Sequence, residues 1–213
     1  MMKYLNAPSL LAALAAGFFL TAFAPKAEAR IGESASTIER RIYSNGGIKY
    51  RDDAILESRT RGMPYAKYMQ YMPGSVNVSI YFKTHDGRKP KSSDMESNRM
   101  KAGWDLHVVY VDGKSVLEVY KRSQGMSEFE FNQLMMLQSS SGWQKVDKKQ
   151  AAEGELPPPS AFGYTMESRD GSIRAKKLGG DSVLFVTPEA DQGLAVEQLR
   201  DLQDMAPLSI QGF

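Results

Sequence analysis

From Trp104 to Trp143 the apolar and polar positions follow one consistent plan. Leu106 to Val111 and Lys114 to Lys121 are β-branched and aromatic runs on either side of Asp112-Gly113, a two-residue loop that favours a type I′ hairpin. A helix follows. Ser127 and Glu130 have capping-box spacing, and Met126 and Phe131 occupy the two staple positions. Upstream, Ile31, Ala35, Ile38 and Ile42 form a helical stripe, with Ser34 as N-cap and Asn45-Gly46-Gly47 as the stop. Ser75 to Lys83 is the clearest strand. Val76, Val78, Ile80 and Phe82 alternate with Asn77, Ser79, Tyr81 and Lys83, which predicts an antiparallel sheet buried on one face and wet on the other.

The second half repeats some of these signals. Phe162, Tyr164 and Met166 alternate, and Asp170-Gly171 repeats the hairpin dipeptide before Ile173 and Ala175. Ser182 to Thr187 reads as a buried strand, Thr187-Pro188 as N-cap and N1, and Ala195, Leu199, Leu202 and Ala206 as a helical stripe ended by Pro207. Between the halves, Val146 to Ser160 carries three consecutive prolines and reads as a semi-rigid spacer, the proline-rich stretch being 147–160. The expectation is an α+β chain: antiparallel sheet with short packing helices, arranged as two helix-plus-sheet units, 30–125 and 126–213, within one domain spanning 30–213. That order of elements looks like the tandem helix-and-sheet architecture of bacterial envelope-assembly lipoproteins and secreted β-lactamase inhibitors, a likeness of fold that carries no function by itself.

The N-terminus points to export. Lys3 supplies a positive start, Leu10 to Ala24 is apolar, Pro25 breaks the run, and Ala27-Glu28-Ala29 fits a small-x-small cleavage site, so residues 1–29 read as a signal peptide. Fifteen apolar residues fall short of the roughly 20 that span a bilayer, so no membrane span is expected after cleavage. The expected location is the periplasm or the cell exterior. Arg30-Ile31-Gly32-Glu33-Ser34, directly after the cleavage site, resembles the opening of a group of small exported bacterial proteins of unknown function. Members continue with a short helix, antiparallel strands, a D-G hairpin, a helix with a Trp beyond it, and more strands. Asp112-Gly113 and Trp143 sit where that pattern puts them, and the inserts around Lys89 and Pro157 depart from it. No activity is attached to the group, so the resemblance implies no functional residues.

Composition then excludes several classes. The net charge of +2 is too small for a dedicated nucleic-acid binder, whose affinity rests on an excess of Lys and Arg. With no cysteine there are no disulfides, thiolate metal sites or thiol nucleophiles, and two histidines make a multi-histidine site improbable. Neither a nucleophile elbow, a zinc-protease motif, a P-loop nor a dinucleotide fingerprint is present. The residues thus assign no catalytic, cofactor or metal site.

Three stretches remain as candidates. Tyr50, Tyr65, Tyr68 and Tyr71, with Met63, Met69 and Met72, form a Tyr/Met-rich segment that reads as one edge of the core or, with Arg59, Arg61 and Lys67 among them, as a partner surface. Thr84 to Ala102 is a long polar loop. Arg88, Lys89 and Lys91 there give a solvated charge run or a local basic surface. His107, between Leu106 and Val108, reads as a satisfied sheet histidine, whereas His85-Asp86 on a turn defines no site. The expected function is a non-catalytic envelope or secreted module that binds a protein partner through a sheet face or the Tyr/Met-rich surface, residues Arg59, Arg61, Tyr65, Tyr68, Tyr71, Arg88, Lys89 and Lys91. The alternative is a carboxylate-dependent hydrolase of envelope or extracellular polymer.

Overall fold

The structure is a computed structural model that describes residues 30–91, 103–146 and 158–205. Residues 1–29, expected to be a signal peptide, the second half of the long polar loop, most of the proline-rich spacer and the expected Ala206-Pro207 stop lie outside the described residues.

The chain runs α1 (Ala35–Ser44), β1 (Ile48–Lys49), α2 (Asp53–Thr60), a 3-10 turn (Ala66–Tyr71), β2 (Asn77–Thr84), β3 (Gly103–Val111), β4 (Lys114–Arg122), α3 (Glu128–Gln138), β5 (Trp143–Lys145), β6 (Met166–Ser168), β7 (Arg174–Leu178), β8 (Ser182–Val186) and α4 (Pro188–Asp204). The eight strands form one antiparallel sheet in the order β1-β2-β3-β4-β8-β7-β6-β5. This is an α+β fold. Each half contributes a helix followed by a four-stranded meander, and the last strands of the two meanders, β4 and β8, pair at the centre through Val119 and Leu184.

Local chemistry accounts for the ends of these elements. Ser34, Asp52, Ser127 and Thr187 each accept a backbone N–H with their side chains at a helix start, and Ser127 and Glu130 complete the reciprocal box. Asp112 and Gly113 have φ of 50° and 75°, as a primed two-residue turn demands. Asp170-Gly171 is different: it sits in a wider loop, where the Asp170 carboxylate accepts from Ser168 Oγ at 2.6 Å and from Ser172 Oγ at 2.8 Å. The opening segment lies against β4. Gly32 N donates to Ser115 O at 2.8 Å, Ser115 N donates back to Glu33 O at 2.9 Å, and Ile31 enters the core.

The sheet is buried on both faces, which corrects the one-sided expectation from β2. On one face Leu106, Val108, Tyr120 and Phe185 pack with Ile38 of α1 and Leu134 and Met135 of α3. On the other, Val109, Leu117, Val119, Leu184 and Val186 pack with Tyr65, Tyr68 and Leu194 of α4, while Ile80 and Phe82 meet Tyr50 and the partly buried Ile55 and Leu56 of α2. The polar alternation of β2 misleads because Tyr81 buries its ring and spends its hydroxyl on Tyr110, 3.1 Å away. A buried ion pair, Arg174 to Asp191 at 2.9 Å, ties β7 to the start of α4. Asp191 also accepts from Phe162 N.

Candidate binding cleft

α1 and α3 lie on the same face of the sheet without closing over it, and the gap between them is a cleft of about 280 Å³. Its floor follows from strand register. Tyr81, Leu106 and Tyr120 are cross-strand partners on β2, β3 and β4, and Lys83, Trp104 and Arg122 form the next row on the same face. Ile42 and Asn45 of α1 make one wall, and Leu134 and Leu137 of α3 make the other. Arg122 stacks over the Trp104 ring at 5.4 Å and pairs with Glu130, so this end of the floor is held in place.

Beneath the walls lies a buried polar knot. Glu118 Oε2 accepts from Tyr120 Oη and from Gln138 Nε2, each at 2.8 Å, and Gln138 Nε2 is 3.0 Å from Tyr120 Oη. Tyr120 has its hydroxyl pushed well above the ordinary range, first by burial and then by the Glu118 charge. The knot ties the end of α3 to the central strand β4.

The charge of the cleft is one-signed. Arg30, Arg41 and Lys83 line it, and no carboxylate does. Arg41 approaches Glu33 at 2.7 Å. Arg30 and Lys83 have no side-chain hydrogen bond or ion pair among the described residues. Leu137 of the cleft wall is 45% exposed, and elsewhere on α3 Phe129 and Met136, seven residues apart and therefore on one line of the helix, are 72% and 69% exposed. Apolar groups of this size on the outer side of a helix mark a contact surface. A second exposed line, Val196, Leu199, Leu202 and Met205 on α4, includes two members of the sequence-predicted stripe that face away from the core.

On the opposite face, Asp105 and His107 of β3 meet the segment 50–72 in a sealed cluster. His107 Nδ1 and Tyr65 Oη share a hydrogen bond of 2.8 Å, and Arg59 Nη1 donates to Asp105 Oδ2 at 2.8 Å. Burial lowers the His107 pKa to about 3, assisted by the Lys121 and Arg59 charges, and burial raises the Asp105 pKa to about 6 against the pull of Arg59. Asp105 and His107 are 2% and 0% exposed, and the histidine expected to be satisfied in the sheet is satisfied at Nδ1 alone, its Nε2 being buried with no hydrogen-bond partner among the described residues.

The sequence-derived partner surface divides in the structure. Tyr65 and Tyr68, at 0% and 1% exposed, are core residues and are corrected out of it, because their rings fill the space between the 3-10 turn and the sheet. Arg59 belongs to the Asp105 ion pair. Arg61 is exposed and pairs with Glu57, and Tyr71 Oη donates to Asp201 of α4. Arg88, Lys89 and Lys91 are exposed beyond β2, with Lys89 beside Lys49 and Arg51 in a shallow groove of about 360 Å³. These residues do not converge. A third groove of about 550 Å³, between Met63, Lys67, Ala161 and Lys176, borders the 3-10 turn.

The cleft residues were missed because Lys83 and Trp104 become neighbours only through a register that spans a long insertion. A signal did exist in α3: Phe129, Phe131, Leu134, Met135, Met136 and Leu137 are too many apolar residues for one core-facing stripe. None of the three clefts is lined by an aspartate or glutamate. Among the described residues there is no group of three or more histidine, aspartate or glutamate side chains placed to hold a metal ion, and no helix is long and apolar enough to cross a membrane. Comparison with protein-family models, with curated proteins and with solved structures finds no match.

Proposed function

We propose that the protein is an exported, non-catalytic binding module that docks the apolar end of a partner protein's chain in the cleft between α1 and α3. The observation that carries this reading is the apolar and aromatic lining of the cleft, with Tyr81, Leu106, Tyr120 and Trp104 as floor and the partly exposed Leu137 of α3 in its wall. Apolar and aromatic lining with a few placed polar groups is the usual make-up of a binding cleft. Export rests on the pattern of residues 1–29. A hydrolase using paired acids lacks support, since the buried carboxylates Asp105 of β3, Glu118 of β4 and Asp191 of α4 are held separately by Arg59, Gln138 and Arg174.

The test is methyl NMR of the purified protein with apolar tetrapeptides. Signals of Ile42, Leu106, Leu134 and Leu137 are expected to shift together and saturably, and Leu137→Asp should abolish the response. Shifts confined to Val196 and Leu199 of α4, or none at all, would overturn the reading.

A further inference from the structure

We infer that the cleft between α1 and α3 recognises the free carboxyl terminus of an apolar peptide segment, an inference that rests on the docking reading above and specifies its ligand. Three features of the cleft converge on this chemistry. Its lining carries three cations, Arg30, Arg41 and Lys83, and no acid; Arg41 is opposed by Glu33 and Glu118 lies beneath the Tyr120 floor, so the attraction for an anion rests on Arg30 and Lys83. Two of the three, Arg30 and Lys83, have no counter-charge or side-chain hydrogen bond among the described residues, so their donors are available. The floor is apolar and aromatic, which excludes a ligand that is charged throughout, such as a polyphosphate or an acidic glycan.

Size fits the assignment. At about 280 Å³ the cleft lies just below the lower bound of ligand-sized cavities, roughly 300 Å³, which suits a short piece of chain such as its last residues. A chain end that combines apolar side chains with one negative charge is a peptide C-terminus. Lys83 flanks the indole of Trp104 in register, and Arg30 acts on the Tyr120 hydroxyl electrostatically, so cationic groups stand beside two of the ring surfaces that would hold the last side chains. A carboxylate held by charged donors gains hydrogen bonds about twice as strong as neutral ones. Leu137, in the cleft wall and 45% exposed, then meets residues upstream of the terminus as the partner chain leaves the cleft.

The experiment compares two pools of N-acetylated tetrapeptides, identical in having Leu, Ile, Val or Phe at the last two positions, one pool as free acids and the other as C-terminal amides. Binding to the purified full chain is read by saturation-transfer NMR. The acids are expected to bind about tenfold or more tightly than the amides, the ratio that loss of one charged hydrogen bond gives. The Arg30→Gln, Lys83→Gln double variant should bring the acids down to the level of the amides. Equal binding of acids and amides by the unaltered protein overturns carboxylate recognition and leaves apolar docking standing. Binding of neither pool overturns both, and tighter binding of the amides contradicts the charge argument outright. The acid-to-amide comparison uses no substitution, so it decides even where the double variant fails to fold.

Discussion

Gln138, at the end of α3, donates its amide to Glu118 on the central strand β4 over 2.8 Å, in a site where both residues are fully buried. This bond fixes the helix that forms one wall of the cleft. Without it Glu118 keeps only the Tyr120 hydroxyl as a hydrogen-bond partner. Gln138→Leu should therefore lower stability by about 1–3 kcal/mol, the cost of leaving a buried polar group short of a partner. Urea denaturation measures this directly, and an unchanged midpoint would show that the knot does not hold α3.

The Tyr65, His107 and Asp105 cluster holds two titrating groups whose effects on stability are of opposite sign. His107 has its pKa lowered from 6.5 to about 3, so its contribution is present above pH 6.5 and is lost as the pH falls toward 3. Asp105 has its pKa raised from 3.8 to about 6, so its contribution is present below 3.8 and is lost as the pH rises through 6. Between pH 7 and pH 4 the two contributions oppose each other, the histidine's being slightly the larger, so the fall from this cluster in the unaltered protein is small. His107→Gln removes the histidine part and should raise stability at pH 4 relative to pH 7 by an amount on the order of 2 kcal/mol compared with the unaltered protein, read from denaturation at the two pH values. An identical pH dependence in both proteins would show that His107 does not carry this effect.

Much of the local structure was legible in the sequence because its signals are short-range. The Ser34 and Ser127 caps, the Asp112-Gly113 turn and the Thr187-Pro188 start each depend on residues within four positions of one another. Segment 50–72 was not legible. Its Tyr and Met residues follow a short helix and a 3-10 turn shaped by the sheet they cover, and Tyr68 donates to Ala161 O from 93 residues away. The same segment turns an apparently one-sided sheet into a two-sided one. The cleft was less legible still, since its floor is a product of register across three strands and its cations sit on α1, β2 and the opening segment.

The hairpin at Asp112-Gly113 offers a stability test independent of the cleft. Gly113 has φ of 75°, a region where a β-branched side chain is strained. Nothing lies within 4 Å of a Cβ built there, so the effect of Gly113→Val isolates the backbone from packing. A loss of about 1–3 kcal/mol is expected by calorimetry or denaturant unfolding. Unchanged melting would show that the turn relaxes to another type without harm.

The two tryptophans allow the central claim to be read with one probe. Trp104 lines the cleft, whereas Trp143 packs on Phe185 and donates its indole N–H to Met135 O. In a Trp143→Phe variant all indole emission comes from Trp104. Titration with the free-acid tetrapeptide pool should change that emission saturably, while a Trp104→Phe variant, reporting from Trp143 alone, should stay flat. A flat response from Trp104, or equal responses from both variants, would contradict docking between α1 and α3.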